Sequence, residues 1–306
     1  MSTPLKIVFF GTHQFGCNML KTLLADPSVE VGLVITQPDK PVGRKKVMTA
    51  SPVKTLAEEE GLHVETPKSL KTYTLPGTFD IGITAQYGLL VPEHILNAPT
   101  HGILNVHTSL LPKYRGASPI QSALLNGETE TGVTIMKMDK GLDTGDILVQ
   151  AVVRIDPDDT YPILDKKLAE AASTILVRAM LDYVAGGITP KAQDDADATH
   201  CGLLSREDGK VDWAKNAQEI YNQYRGLTPW PGIWTSLGDK RLKLLRVSQS
   251  KKNISPGRIH FDEGNLYIGA RNGSLQVHEL QLEGKNIMNA QTFMQGYQQL
   301  DKQKLV

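Results

Sequence analysis

Asn105 and His107 stand two residues apart in the run NVHTSLLPKYRGASP, residues 105–119. In a β-strand that spacing points both side chains to one face. An amide donor beside an imidazole suits a carbonyl-like centre where negative charge builds on oxygen and a proton must move. A buried polar pair bonded only to backbone is the alternative. Further along, MDKGLDTGDILVQ carries Asp139, Asp143 and Asp146 in a loop punctuated by Gly141 and Gly145. An Asp there would orient His107 and stabilise its imidazolium; an ordinary acidic turn is the bland reading. The EF-hand spacing and its closing Glu are missing, which argues against a calcium loop.

Two other stretches carry chemistry. FFGTHQFG reads as strand, glycine, helix, and a helix N-terminus there would receive an anion. Its glycines, Gly11 and Gly16, do not complete G-x-G-x-x-G, and no acidic residue ends the second strand, so an NAD-dependent oxidoreductase fits poorly. QPDKPVGRKKVMTASP places Lys40, Arg44, Lys45 and Lys46 among prolines and a glycine. A loop this long between a strand and a helix is often functional. A solvated charge run is the other reading. From residue 211 onward there are about 13 Lys and Arg against about 8 Asp and Glu, a local basic excess hidden by the neutral total. Nucleic acid is therefore an expected partner.

These residues need a scaffold, and 306 of them suffice for two domains. With 33 basic and 33 acidic residues the formal charge is zero, which excludes a wholly basic nucleic-acid binder. Cys17 and Cys201 lie far apart outside any C-x-x-C pattern, against both a disulfide framework and a cysteine zinc site. No stretch reaches the roughly 18 apolar residues of a membrane span, and the N-terminus enters a strand at once. A soluble cytoplasmic protein with no metal is expected.

LKIVFFGT, the helical spacing of QFGCNMLKTLLAD and VEVGLVITQ read as strand, helix, strand. SPVKTLAEEEGL, HVETP and DIGITAQYG repeat the alternation, so the chain is expected to be α/β, a doubly wound and mostly parallel sheet. Asn105 and His107 would then project at the carboxyl end of a strand, where such sheets bind ligands. TETGVTIMKM and GDILVQAVVRI follow as two alternating strands, and YPILDKKLAEAASTILVRAMLDYVAGG is a helix stopped by two glycines. Residues 1–188 make up this domain. Residues 189–209 are polar and aperiodic and read as a linker. Residues 210–306 hold one helix and then short strands in RLKLLRVSQ, GRIHF, NLYIGA and SLQVHELQL, the pattern of a small OB-like β-barrel.

NVHTSLLPKYRGASP, NGETETGVTIMKMDKGLDTGDI, AQYGLLVP, QPDKPVGR and RGLTPWPGIWT together resemble the methionyl-tRNA formyltransferase family, within the formyltetrahydrofolate-dependent transferases. The resemblance runs from FFGT to GKNIMNAQTF, nearly the whole chain. It implies a one-carbon group transferase of translation initiation, acting as a monomer on methionyl initiator tRNA with 10-formyltetrahydrofolate as co-substrate. Its catalytic asparagine, histidine and aspartate fall on Asn105, His107 and Asp143. Its folate segment falls on Ser109, Leu110, Leu111 and Pro112, and its pterin pocket on Gln86, Tyr87, Gly88 and Leu89 and on the loop from Asp139. Its acceptor-stem arginine falls on Arg44, with Lys40, Lys45 and Lys46 beside it.

The chain departs from the family at His13, Gly16 and Ser118, away from the catalytic positions. In the implied reaction the substrate's own α-amine is the nucleophile, with a pKa of about 7.7–8.0 before esterification lowers it. The protein then needs no Ser or Cys nucleophile. A nucleotide-sugar N-formyltransferase and a non-catalytic RNA-binding barrel remain the competing readings.

Overall fold

The computed structural model describes residues 3–43 and 45–305. The first part of the chain runs β1 (Leu5–Gly11), α1 (Gln14–Leu24), β2 (Val29–Ile35), β3 (Lys40–Val42), β4 (Val47–Thr49), α2 (Pro52–Glu59), β5 (Val64–Glu65) and β6 (Ile81–Ala85). It continues through α3 (Glu93–Leu96), β7 (Ile103–His107), β8 (Arg115–Gly116), α4 (Pro119–Leu125), β9 (Glu130–Lys137), β10 (Ile147–Arg154), α5 (Tyr161–Val184) and β11 (His200–Cys201). The main sheet has seven strands in the order β10-β9-β7-β6-β1-β2-β5. From β5 to β7 the strands are parallel, and β9 and β10 run antiparallel at one end. This is the expected mostly parallel α/β sheet.

The sequence explains the order. β1 and β6 are apolar without alternation because both their faces are covered, and Ile7 to Phe10 are fully buried. At the outer end, β10 alternates half-buried and exposed residues from Val149 on, as a strand with one wet face must. α2 begins where Ser51 accepts the Lys54 N–H at 3.0 Å and Pro52 needs no partner. One face of the sheet packs Val8, Phe10, Leu33 and Ile35 against Phe79, Tyr87 and Ile95.

The chain forms two compact units, and their limits differ from a division in sequence order. The first comprises the residues up to Pro119, Glu130–Arg154 and Asp165–Gly202; the second comprises Ile120–Thr129, Ile155–Leu164 and everything from Leu203 on. Most of the segment read as a linker, 189–209, belongs to the first unit, where β11 pairs in parallel with β8. The stretch stays largely exposed, and its strand pairing is confined to His200–Cys201 on β8 and one bridge from Lys191 to Ile147.

The second unit contains α6 (Ala217–Leu227), β12 (Ile233–Leu237), β13 (Lys240–Ser250), β14 (Ile259–Asp262), β15 (Asn265–Gly269), β16 (Ser274–Leu282), β17 (Met288–Asn289) and α7 (Ala290–Gly296). Its antiparallel strands are ordered β12-β13-β16-β15-β14, with β17 on β16. They enclose a core of Ile220, Leu227, Ile233, Leu275, Leu280 and Phe293. The inserted segment 155–164 is fastened to α6 by the buried Arg225, which donates to the carbonyls of Asp156 and Asp159 at 3.5 and 3.1 Å. Tyr221 adds a bond from its hydroxyl to Asp158 at 2.9 Å.

Candidate active site

β7 lies between β6 and β9, with Asn105 in register with Thr84 on one side and Met136 on the other. Leu104 and Val106 are buried on one face. Asn105 and His107 therefore share the other face, as their spacing requires. Both reach the same carboxylate. Asn105 Nδ2 donates to Asp143 Oδ1 at 3.3 Å, and His107 Nδ1 lies 3.6 Å from that oxygen. The three side chains are thus brought together, with His107 6 % exposed and Asp143 12 %.

Asp143 sits on the loop between β9 and β10 in left-handed backbone, φ +55°. For a residue with a Cβ this costs on the order of 1 kcal/mol, so the surroundings must enforce it. Gly145 is part of that enforcement: a Cβ there would lie 1.8 Å from the Lys137 carbonyl. Gly116 is another, since its N–H donates to Asp143 Oδ2 at 2.8 Å. Asp139 closes the loop from within. Its carboxylate accepts the Gly141 N–H at 2.9 Å and the Thr144 hydroxyl at 2.7 Å, so it organises the loop and does not join the cluster. Asp146 is exposed, and its carbonyl accepts the Lys137 N–H at 2.9 Å.

The second nitrogen of His107 faces an acceptor too. Nε2 lies 3.0 Å from the Tyr114 carbonyl, which only accepts, so Nε2 carries a proton. Tyr114 is also left-handed, φ +61°.

Immediately past β7, Ser109 is fully buried and its hydroxyl donates to the Lys113 carbonyl at 2.6 Å. Thr134 accepts the Leu111 N–H at 3.1 Å and donates to the Ser109 carbonyl at 2.7 Å. Leu111 is buried, while Leu110 and Pro112 are half-buried, so of these four residues two point inward and two are left for contact.

A second turn follows β6. Gln86 is left-handed at φ +49° and Gly88 at +77°. The Tyr87 carbonyl accepts from Thr12 Oγ1 at 2.8 Å and Gln37 Nε2 at 2.6 Å. The Tyr87 ring turns into the core against Phe10, where burial pushes its hydroxyl up to about 12. Only its backbone contributes to the turn. Leu89 and Leu90 are 44 % and 82 % exposed. Beneath the turn Asp165, on α5, bonds the Gln86 side chain, and burial holds its carboxyl above the ordinary value.

The basic segment after β2 forms the hairpin β3–β4, where the sequence suggested an irregular loop. Alternation in KPV and VMT is too short to register as strand. Lys40, Lys45 and Lys46 are exposed, with Lys40 Nζ bonded to Gln37, and so are Val42, Val47 and Met48. Arg44 lies outside the described residues. Among the described residues no cluster of His, Cys, Asp or Glu could hold a metal ion, and no helix is long and apolar enough to cross a membrane.

Sequence reasoning missed Gln193, Thr199 and Arg115. Gln193 Nε2 donates to the carbonyls of Asp143 and Gly145 at 2.9 and 2.7 Å. For Gln193 and Thr199 the only signal was the length of an aperiodic stretch without evident partners for its backbone, while Arg115 stood inside the run 105–119 with no role given to it.

The formyl transferase family model matches residues 5–180, and that of the formyl transferase C-terminal domain matches residues 203–298. A methionyl-tRNA formyltransferase of Geobacter metallireducens is 40 % identical over 95 % of this chain and 96 % of its own. One from Acidobacterium capsulatum is 42 % identical over the same shares. Among solved structures, the sugar 3N-formyl transferase WlaRD, with dTDP and 5-N-formyl-THF, superposes at TM-score 0.68 with 20 % identity, covering 93 % of this chain and all of its own. HypX from Aquifex aeolicus in complex with tetrahydrofolic acid superposes at 0.64 with 15 % identity, over 96 % of this chain and 47 % of its own. At such identities these two likenesses show the fold alone.

Proposed function

Because the chain belongs to the formyl transferase family, we propose that it is a methionyl-tRNA formyltransferase, moving the formyl group of 10-formyltetrahydrofolate to the α-amino group of methionyl initiator tRNA. The observation that carries the chemistry is the Asn105–His107–Asp143 cluster at the carboxyl end of β7, built without a nucleophile of its own. The net change is one N–C bond formed at the amine, one N–C bond broken at N10 of the folate, and one proton passed from the first nitrogen to the second.

The chain's residues act on each part. Asn105 Nδ2 donates to the formyl oxygen as charge builds on it, releasing Asp143 to do so. An imidazolium at His107 satisfies both the Tyr114 carbonyl and the Asp143 carboxylate and places a positive charge beside that oxygen. Asp143 orients the ring, takes the proton that the amine loses and relays it to N10 of the folate. The co-substrate supplies an activated one-carbon acyl group. Its heteroaromatic ring has apolar faces and hydrogen-bonding edges, which suits the Gln86–Gly88 backbone with Leu89, Leu110 and Pro112 beside it. The buried Asp165 Oδ1, which has no partner among the described residues, fits a polar ring edge in that turn.

The β3–β4 hairpin supports tRNA as acceptor. Lys40, Lys45 and Lys46 offer cations for phosphates, with the family's acceptor-stem arginine falling on Arg44 in the sequence between them, and Val42, Val47 and Met48 offer apolar surface for bases. A monomer acting in the cytoplasm, where aminoacyl-tRNA is used, completes the reading. It is tested by supplying 10-formyltetrahydrofolate with methionyl initiator tRNA and a nucleotide-linked amino sugar together. Formylated tRNA with untouched sugar is expected. Transfer to the sugar alone would overturn the tRNA assignment and leave the hairpin a solvated surface.

A further inference from the structure

Both acceptors that face His107 belong to left-handed residues, Tyr114 and Asp143, and residues 193–201 hold both of them. Left-handed backbone at a side-chain-bearing residue persists only where neighbours over-determine it. Gln193 does so at Asp143, because its amide spans the Asp143 and Gly145 carbonyls with two bonds from one nitrogen. Gln193 is itself held: its Oε1 accepts from Arg115 Nε at 3.0 Å, and that guanidinium, 4 % exposed, donates to Asp195 at 2.8 Å. At Tyr114 the N–H donates to Thr199 Oγ1 at 2.8 Å, and the next residue's N–H donates to the Thr199 carbonyl, also at 2.8 Å. Two residues on, the β8–β11 pairing fixes Gly116, whose N–H holds Asp143 Oδ2.

We propose that the segment from Gln193 to Cys201 is a positioning strap for the reaction, in which Gln193 sets the Asp143 carboxylate and Thr199 sets the Tyr114 carbonyl against the two nitrogens of His107. These bonds end on the Asp143 loop and on the backbone around Tyr114, not on the Gln86–Gly88 turn. The Thr199 N–H also donates to the carbonyl of Pro112, in the segment set against the folate, at 3.3 Å, a backbone bond that a change of the Thr199 side chain leaves in place. The Gln193 and Thr199 side chains act through Asp143 and Tyr114, so their effect falls on turnover and not on substrate binding. This rests on the assignment of Asp143 and His107 made above.

The test compares Gln193→Ala, Thr199→Val, Asp143→Asn and the double variant Gln193→Ala/Asp143→Asn, with steady-state formylation of methionyl initiator tRNA and direct titration of tetrahydrofolate. Gln193→Ala should lower kcat roughly 10- to 100-fold, the scale set by displacing a reacting group by about an ångström, with KM for both substrates within about twofold. In the Asp143→Asn background it should lower kcat no further, because a residue acting only through Asp143 has nothing left to position. Thr199→Val, which removes one hydroxyl, should lower kcat with KM and folate titration intact. An unchanged kcat in Gln193→Ala, or a loss as large in the Asp143→Asn background as in the wild type, overturns the strap. If Gln193→Ala does not fold, Thr199→Val decides: normal kcat overturns the proposal and a selective loss of kcat sustains it. Normal turnover in Asp143→Asn alone would instead remove the catalytic assignment, so the two failures are told apart.

Discussion

Asn105 Nδ2 donates to Asp143 Oδ1 at 3.3 Å, a long bond that joins the proposed oxyanion donor to the proposed proton acceptor. A weak internal bond of this kind keeps the amide aimed into the site and is readily exchanged for a stronger one to a developing oxyanion.

Asn105→Ala should therefore lower kcat by about 10² to 10³, the usual loss for one such donor. KM for folate should stay within about twofold, since the folate turn does not depend on the amide. Single-turnover formylation checks it, and near-normal turnover would take Asn105 out of the chemistry.

Gly116→Ala should damage the same site through the backbone. Gly116 has φ +121°, and a Cβ there would stand 2.1 Å from the Cys201 carbonyl, so β8 and β11 must part. Asp143 Oδ2 then loses its N–H donor, and kcat should fall at least about tenfold, with a lower melting temperature. Wild-type values of both in the purified variant would show that the pairing is dispensable.

The hairpin makes a prediction about salt. Lys45→Ala combined with Lys46→Ala should raise KM for tRNA and leave KM for folate alone. The dependence of log K on log salt should flatten by roughly 0.7–0.9 for each phosphate that is no longer neutralised. An unchanged slope would place these lysines outside the interface.

Asp165 links the folate turn to stability. Burial holds its folded-state carboxyl above the ordinary value, against a smaller lowering by the Gln86 bond. Its contribution thus favours the fold below the unfolded value of about 3.9 and is lost as pH rises through the folded one. Asp165→Asn carries no charge at any pH, so it should raise the melting temperature at pH 7.5, a gain that shrinks as pH approaches 4. Scanning calorimetry at both ends decides, and a pH-independent gain would mean that the carboxyl is ordinary.

Most of the fold was legible because its signals are local: the unbroken apolar run of β1, the Ser51–Pro52 start of α2 and the alternation in β10 each name their element. Two of the site residues were legible for the same reason, since strand period alone puts Asn105 and His107 on one face. The remainder depends on distant partners. Nothing local in KAQDDADATHC says that Gln193 crosses to the Asp143 loop or that His200 pairs with Arg115. The β3–β4 hairpin was missed because three-residue strands around a charged turn carry no periodic pattern.

The second unit draws on three stretches of chain, of which Ile120–Thr129 and Ile155–Leu164 precede the whole of the first unit's last stretch. On the ribosome this order has a cost in time. Leu124, fully buried in the finished protein, emerges about a hundred residues ahead of α6, roughly 5–20 s at ordinary elongation rates. For that interval the nascent chain carries apolar residues whose neighbours are not yet made. A chain released after Gly202 would carry them permanently, so premature termination there yields a sticky fragment and not a free-standing catalytic domain.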